Sequence, residues 1–165
     1  MSLYVFLIVS HVIGTVFGVG GVTFAEIFYL RAIKDGKVDP KEGSALKIIY
    51  RLVRIGLFLT VFSGFGFLLY FRLTGNIEQL YDPKLWAKLT IIVIIMINAI
   101  MLSMRSIVLW LGSAISLTSW YMTMILGSWR SYPYGFMDTM VGYVITVIVV
   151  AIVLYFISEW YLNKK

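Results

Sequence analysis

Few side chains in this 165-residue chain could carry chemistry. His11, the only histidine, sits in SHVIGTVFGVGGVTFAE among four glycines. Imidazole titrates near neutrality and is the commonest metal ligand, so His11 could ligate a haem iron or a copper ion, or relay a proton. The alternative is a neutral histidine that hydrogen-bonds across helices. Lys88 could anchor an anionic group such as a propionate or a lipid phosphate, or snorkel from one turn inside the membrane boundary. Asn98 stands too deep to snorkel and has to bond inside the protein. Glu26 could carry a proton, or be an interfacial acid facing the basic residues that follow it. Met101/Met104 and Met137/Met140 have a spacing that could present paired thioethers to Cu(I), or they fill apolar space.

Other chemistries are excluded. With no cysteine the chain has no disulfide, thiolate metal site or iron–sulfur cluster. It shows no Ser-His-Asp set, paired carboxylates, HExxH or Walker pattern, so the hard chemistry of any enzyme here would belong to a cofactor. GVGG at 18–21 lacks the preceding strand that a phosphate-cradling loop needs, and reads as packing.

The elements that hold these residues are membrane spans. The chain is 61% hydrophobic and 13% charged with a mean hydropathy of +0.92, too apolar for a domain that must cover its surface with polar groups. Polar or Gly/Pro-bearing breaks at 34–44, 74–83, 103–106 and 131–138 leave five apolar runs, near 3–31, 46–72, 84–103, 107–129 and 138–162. Each approaches or exceeds the roughly 20 residues needed to cross a hydrocarbon core. The break at 103–106 follows from length, because unbroken helix from Leu85 to Trp129 would run over about 60 Å. The fold class expected is an all-α, five-helix integral membrane bundle forming a single domain over 1–165.

Arg31, Lys34, Lys37, Lys41, Lys47, Arg51 and Arg54 cluster around the first break, Arg105 lies in the third, and Lys164 and Lys165 end the chain. The positive-inside rule then places the N-terminus outside and the C-terminus in the cytoplasm of a multi-pass cell-membrane protein. The net charge of +6 is directed at anionic headgroups near 31–47 rather than at nucleic acid. MSLYVFLIVSH has no basic n-region, and is read as a retained first span rather than a signal peptide.

Helical periodicity orients the spans. His11, Gly14, Gly18, Gly21 and Ala25 fall within an arc of about 80°, a small-residue seam that lets another helix approach closely. Span four offers a similar row in Gly112, Ser116, Ser119, Thr123 and Gly127, with Trp120 on its edge, so spans one and four are expected to be the closest pair. Span two has a shorter row in Gly56, Thr60, Ser63 and Gly64. On span three, Lys88, Asn98 and Arg105 share one stripe. Span five, rich in β-branched residues, is expected to be the most lipid-exposed. By helical rise His11 lies about 12 Å and Lys88 about 8 Å from the same end, both in the outer half.

HVIGTVFGVGGVTFAEIFYLRAI, with its early histidine and glycine-rich turns, and LWAKLTIIVIIMINAI, a third span opening with a lysine, resemble the small bacterial membrane proteins grouped around HemJ-type protoporphyrinogen oxidase and the copper-resistance D-like membrane domains. In the HemJ-type proteins the corresponding histidine and lysine are the functional pair, and the histidine is associated with haem. The resemblance implies a haem b or porphyrin site with His11 as axial metal ligand, Lys88 as partner of a propionate, and Trp120 or Tyr143 as walls. A different reading of the same residues is a small-solute or ion translocator, working as a homo-oligomer, that uses the stripe Lys88, Asn98, Arg105 and the row Ser116, Ser119, Thr123. A third is a membrane scaffold subunit.

Overall fold

The apolar runs fold as helices, and the polar breaks become their ends. A computed structural model describes residues 2–35 and 40–162, and shows α1 Leu3–Asp35, α2 Pro40–Leu73, α3 Pro83–Ser103, α4 Leu109–Ser128 and α5 Phe136–Leu162, with a 3₁₀ turn at Ile77–Tyr81 before α3. All five are long and apolar enough to cross a membrane, and no strand occurs among the described residues. The chain is an all-α membrane bundle of five helices. Lys37, Lys164 and Lys165, assigned above to the basic side, lie outside the described residues, as do the side chains of Lys34 and Tyr161.

Local chemistry sets the ends of α3. Asp82 caps its N-terminus by accepting from the Lys84 backbone N–H at 2.8 Å, and Pro83 takes the first turn, where a missing N–H costs nothing. At the other end Ser106 N–H reaches back to the Met101 carbonyl and Arg105 N–H to that of Leu102. This closure needs a left-handed residue, and Arg105 fills it at φ 55°. Arg105 therefore stands in the link, exposed and beyond the helix that carries Lys88 and Asn98.

Alternating helix direction gives the bundle two ends. One holds the start of α1 and the α2–α3 and α4–α5 links, and is called the N-terminal end below. The other, the basic end, holds the α1–α2 and α3–α4 links and exposes Arg31, Lys41, Lys47, Arg51, Arg54 and Arg105.

The packing corrects one expectation. The seam of α1 meets α2, the most extensive helix contact in the molecule, and only then α4. A Cβ on Gly14 would lie 2.6 Å from Thr60 Oγ1 and 2.9 Å from the Gly56 carbonyl oxygen, and one on Gly56 would lie 2.7 Å from the backbone of both Gly14 and Gly18. Two small-residue rows thus put backbone on backbone, which side chains of ordinary size would prevent. The row of α4 turns elsewhere. Gly112 lies against Leu102 of α3, Ser116 takes a hydrogen bond from Asn98, and Ser119 pairs with Tyr143 of α5 at 2.8 Å. Toward α1, α4 presents Trp120, whose ring covers Gly18, and Tyr121, whose hydroxyl pairs with that of Thr23 at 3.0 Å.

Burial ranks the helices accordingly. In their most apolar windows, 33% of α4 is buried but only 17% of α5 and 17% of α2, so α2 is as lipid-exposed as α5, which was expected to stand alone. The largest buried cluster joins Val22, Ala87, Ile91, Ile95, Trp120, Leu126 and Tyr143 from four helices.

Candidate functional site

Two polar centres lie on α1, near opposite ends of the bundle. The first is His11. Its Nδ1 stands 2.9 Å from Ser63 Oγ on α2, and the Phe67 ring meets its own ring edge-on at 5.7 Å. Ser63 can donate its single hydroxyl proton to a carbonyl of its own helix, that of Leu59 at 2.6 Å or of Thr60 at 3.2 Å. With its proton on that carbonyl the oxygen accepts from Nδ1–H, and the lone pair of a neutral His11 is then on Nε2. With Ser63 donating to Nδ1 the other tautomer gives the same contact, and the Thr60 carbonyl is a further partner of the ring. The cross-helix hydrogen bond is thus formed, and in the first tautomer the nitrogen left over is one that could ligate or accept a proton. Lys88 on α3 lies within Coulombic range of the ring.

Trp120 and Tyr143, expected as walls of that site, share a buried cluster with Ala87 and Ile91 of the helix that carries Lys88. Trp120 is packed over Gly18 and Tyr143 is held by Ser119, each at most 3% exposed. Asn98 donates to the Gly112 carbonyl and to Ser116 Oγ, both at 2.8 Å, so α4 seals it from one side. Thr123 bonds back to carbonyls of its own helix. Asn98 and the row Ser116, Ser119, Thr123 are therefore tied into helix contacts, and Arg105 into the link, while Lys88 is partly buried on α3. Among the described residues no three His, Cys, Asp or Glu side chains gather as a metal site.

The second centre is Glu26, and it departs from the interfacial acid the sequence suggested. It is 8% exposed, and its Oε1 is buried with no hydrogen-bond partner. Ser113 of α4 is the side chain in hydrogen-bonding range of its carboxyl group. Arg54, the cation within reach by depth, is directed instead to Ser103 Oγ at 3.4 Å. Glu26 lies on the stripe Val19, Val22, Glu26 that flanks the glycine seam. That 3-4 spacing is the signal that marks it as inward-facing, and the basic cluster nearby obscures it.

Two cavities adjoin Glu26. A crevice of about 200 Å³ opens at the basic end between α1, α2, α3 and α4, lined among others by Glu26, Tyr50, Arg54, Ser103, Ser113 and Trp120. A groove of about 410 Å³ runs between α1, α4 and α5, lined among others by Thr23, Glu26, Leu117, Thr118, Tyr121 and Ile125. Glu26 is the one residue that lines both. Three further buried polar atoms lack partners among the described residues: Asn98 Oδ1, Trp120 Nε1, whose residue lines the crevice, and Thr118 Oγ1, whose residue lines the groove. Native proteins rarely leave such atoms unpaired, and here three of them belong to residues that border these two spaces.

No family model, curated protein or solved structure matches this chain. The functional reading therefore rests on the geometry of the site.

Proposed function

We propose that this membrane protein is a small-cation translocator in which Glu26 is the exchange site, with the basic end facing the cytoplasm. One observation carries the reading: a single carboxylate divides a crevice open at the basic end from a groove that follows α4 toward the other end. Along α4 the crevice is lined from Leu109 to Trp120 and the groove from Leu117 to Ile125, about 24 Å in all, of which the groove accounts for about 12 Å. An ionised carboxylate in this position is costly without a counter-charge, so it is neutralised by a proton or by a cation, and exchanging one for the other does work across the membrane. Ser113 holds the carboxyl group in place, and Arg54 at the crevice mouth raises the cost of leaving a bound cation on that side.

Proteoliposomes loaded with a pH-sensitive dye and given a pH gradient test this. External Na⁺, K⁺ or an organic cation should discharge the gradient faster through the wild type than through Glu26→Gln. Equal rates for every cation overturn the reading.

A second reading has its own observation, the Nε2 lone pair that His11 keeps when its Nδ1–H is donated to Ser63. It is the haem or porphyrin site that the sequence resemblance implies, with His11 as the axial ligand and Lys88 near a propionate. A bound haem would supply electron transfer. An absorption spectrum with no Soret band after added haemin overturns it.

A further inference from the structure

The groove between α1, α4 and α5 says what kind of cation Glu26 meets. Its rim is formed by Ile27, Tyr121 and Ile125, exposed on the outside of the bundle, so it opens sideways to lipid rather than to water. Its volume of about 410 Å³ falls within the roughly 300–1,000 Å³ typical of small-molecule sites, and is far more than a proton or a bare metal ion needs. Leu117, Met122 and Val150 line the wall, and no basic residue does. Its polar lining residues are Glu26, Thr118, Thr23, Tyr121 and Thr146, of which Thr23 and Tyr121 pair with each other at 3.0 Å and Thr146 bonds the Gly142 carbonyl.

Each occupant can be judged against that lining. An inorganic ion has no need of so large an apolar space, and of the hydroxyls that could replace its water those of Thr23, Tyr121 and Thr146 are already hydrogen-bonded. A lipid acyl chain would fill the apolar length but bring no counter-charge to Glu26. A cation attached to an apolar body satisfies both halves: the body covers Leu117, Met122 and Val150, and the charge meets the carboxylate with the Tyr121 ring beside it.

We infer that this groove is a binding site for lipophilic monocations, which enter from the bilayer and set their charge against Glu26. The inference deepens the translocator reading and rests on the role given there to Glu26. On binding, the Glu26 O–H bond breaks, the proton leaves through the crevice to water at the basic end, and the cation takes its place, so charge balances one for one. The titratable groups around the carboxyl are Tyr29 on α1, Tyr50 and Arg54 on α2, and Tyr121 on α4; α3 and α5 bring only Ser103 and Thr146.

Tetraphenylphosphonium is a suitable probe, a permanent monocation with an apolar body. Equilibrium dialysis of radiolabelled probe against detergent-purified protein should show saturable binding and, in weakly buffered solution, the release of about one proton per cation bound. Glu26→Gln should weaken binding roughly thirtyfold or more, the low end for removing one partner of a desolvated charge pair. Leu117→Trp, which fills the groove and leaves the carboxyl in place, should weaken it as well, and circular dichroism would verify that both variants fold. Neutral triphenylphosphine oxide should not compete. Equal binding by Glu26→Gln, displacement by the neutral compound, or no binding by the wild type overturns the inference. If probe binding fails while Glu26-dependent discharge by Na⁺ or K⁺ persists, only the lipophilic-cation site falls. Probe binding without any discharge removes translocation instead and leaves the site.

Discussion

His11 and Glu26 lie on the same helix, about 22 Å apart by helical rise, and the protein treats them in opposite ways. At His11 two small-residue rows bring α1 and α2 into backbone contact, and the ring is hydrogen-bonded across that contact to the Ser63 hydroxyl. At Glu26 the helices stand apart, two cavities meet, and a buried carboxylate oxygen has no partner. Close helix approach and polar satisfaction go together at one end, while open space and unsatisfied polarity go together at the other. Unsatisfied buried polarity is a cost that a purely structural region tends to shed. The contrast assigns stability to the α1–α2 seam and function to the space around Glu26.

Substitutions can break this comparison or sharpen it. The largest effect is expected where the backbones touch: Gly56→Val should destabilise by about 3 kcal/mol, the upper end for overpacking, because its Cβ would meet the backbone of Gly14 and Gly18. Denaturation in mixed micelles followed by circular dichroism would measure it, and a loss under about 1 kcal/mol would mean that the seam yields more readily than its geometry implies. Glu26→Leu should act in the opposite direction, raising stability by roughly 1–2 kcal/mol as an unpaired buried carboxyl is replaced by apolar volume. Lower stability in that variant would show that Glu26 holds the bundle together, and the contrast would fail.

Asn98→Ala should cost about 1.5 kcal/mol, near the upper values for interhelical bonds in membranes, since two donated bonds are lost. Smallest is Ser63→Ala, with an expected cost of about 0.6 kcal/mol for one such bond. That variant also removes the hydroxyl partner of the His11 ring, so nitrogen NMR of the imidazole should show a shift of the proton between Nδ1 and Nε2. An unchanged tautomer would leave the Thr60 carbonyl as its anchor.

The sequence made much of the fold legible. Hydropathy and polar breaks marked all five helices, because lipid requires long apolar runs with their backbone bonds satisfied internally. The seam from Gly14 to Ala25 was readable because side-chain direction follows from helical period alone. Its partner was not: a small-residue row states that something packs closely, and both α2 and α4 carried such rows. The outcome depended on Trp120, whose bulk at the edge of the α4 row holds that backbone away from Gly18 while the Gly56 row has nothing comparable. Glu26 was misjudged for a related reason. Proximity in sequence to many cations suggested an interfacial acid facing them, and only the three-dimensional path of Arg54 shows its hydrogen bond going to Ser103 rather than to the carboxylate.

The lopsided attachment of α2 also bears on how the molecule is made. α2 packs extensively on α1 and only slightly on later elements, so the α1–α2 hairpin has its main contacts as soon as residue 73 has left the ribosome. N-terminal units generally fold first during synthesis, and this one would enter the bilayer as a preformed pair. Ser113 reaches Glu26 only when α4 follows, so a ribosome-bound chain halted between the two would display the carboxylate to lipid or to the insertion machinery. The order of synthesis exposes the acidic side chain first and encloses it last.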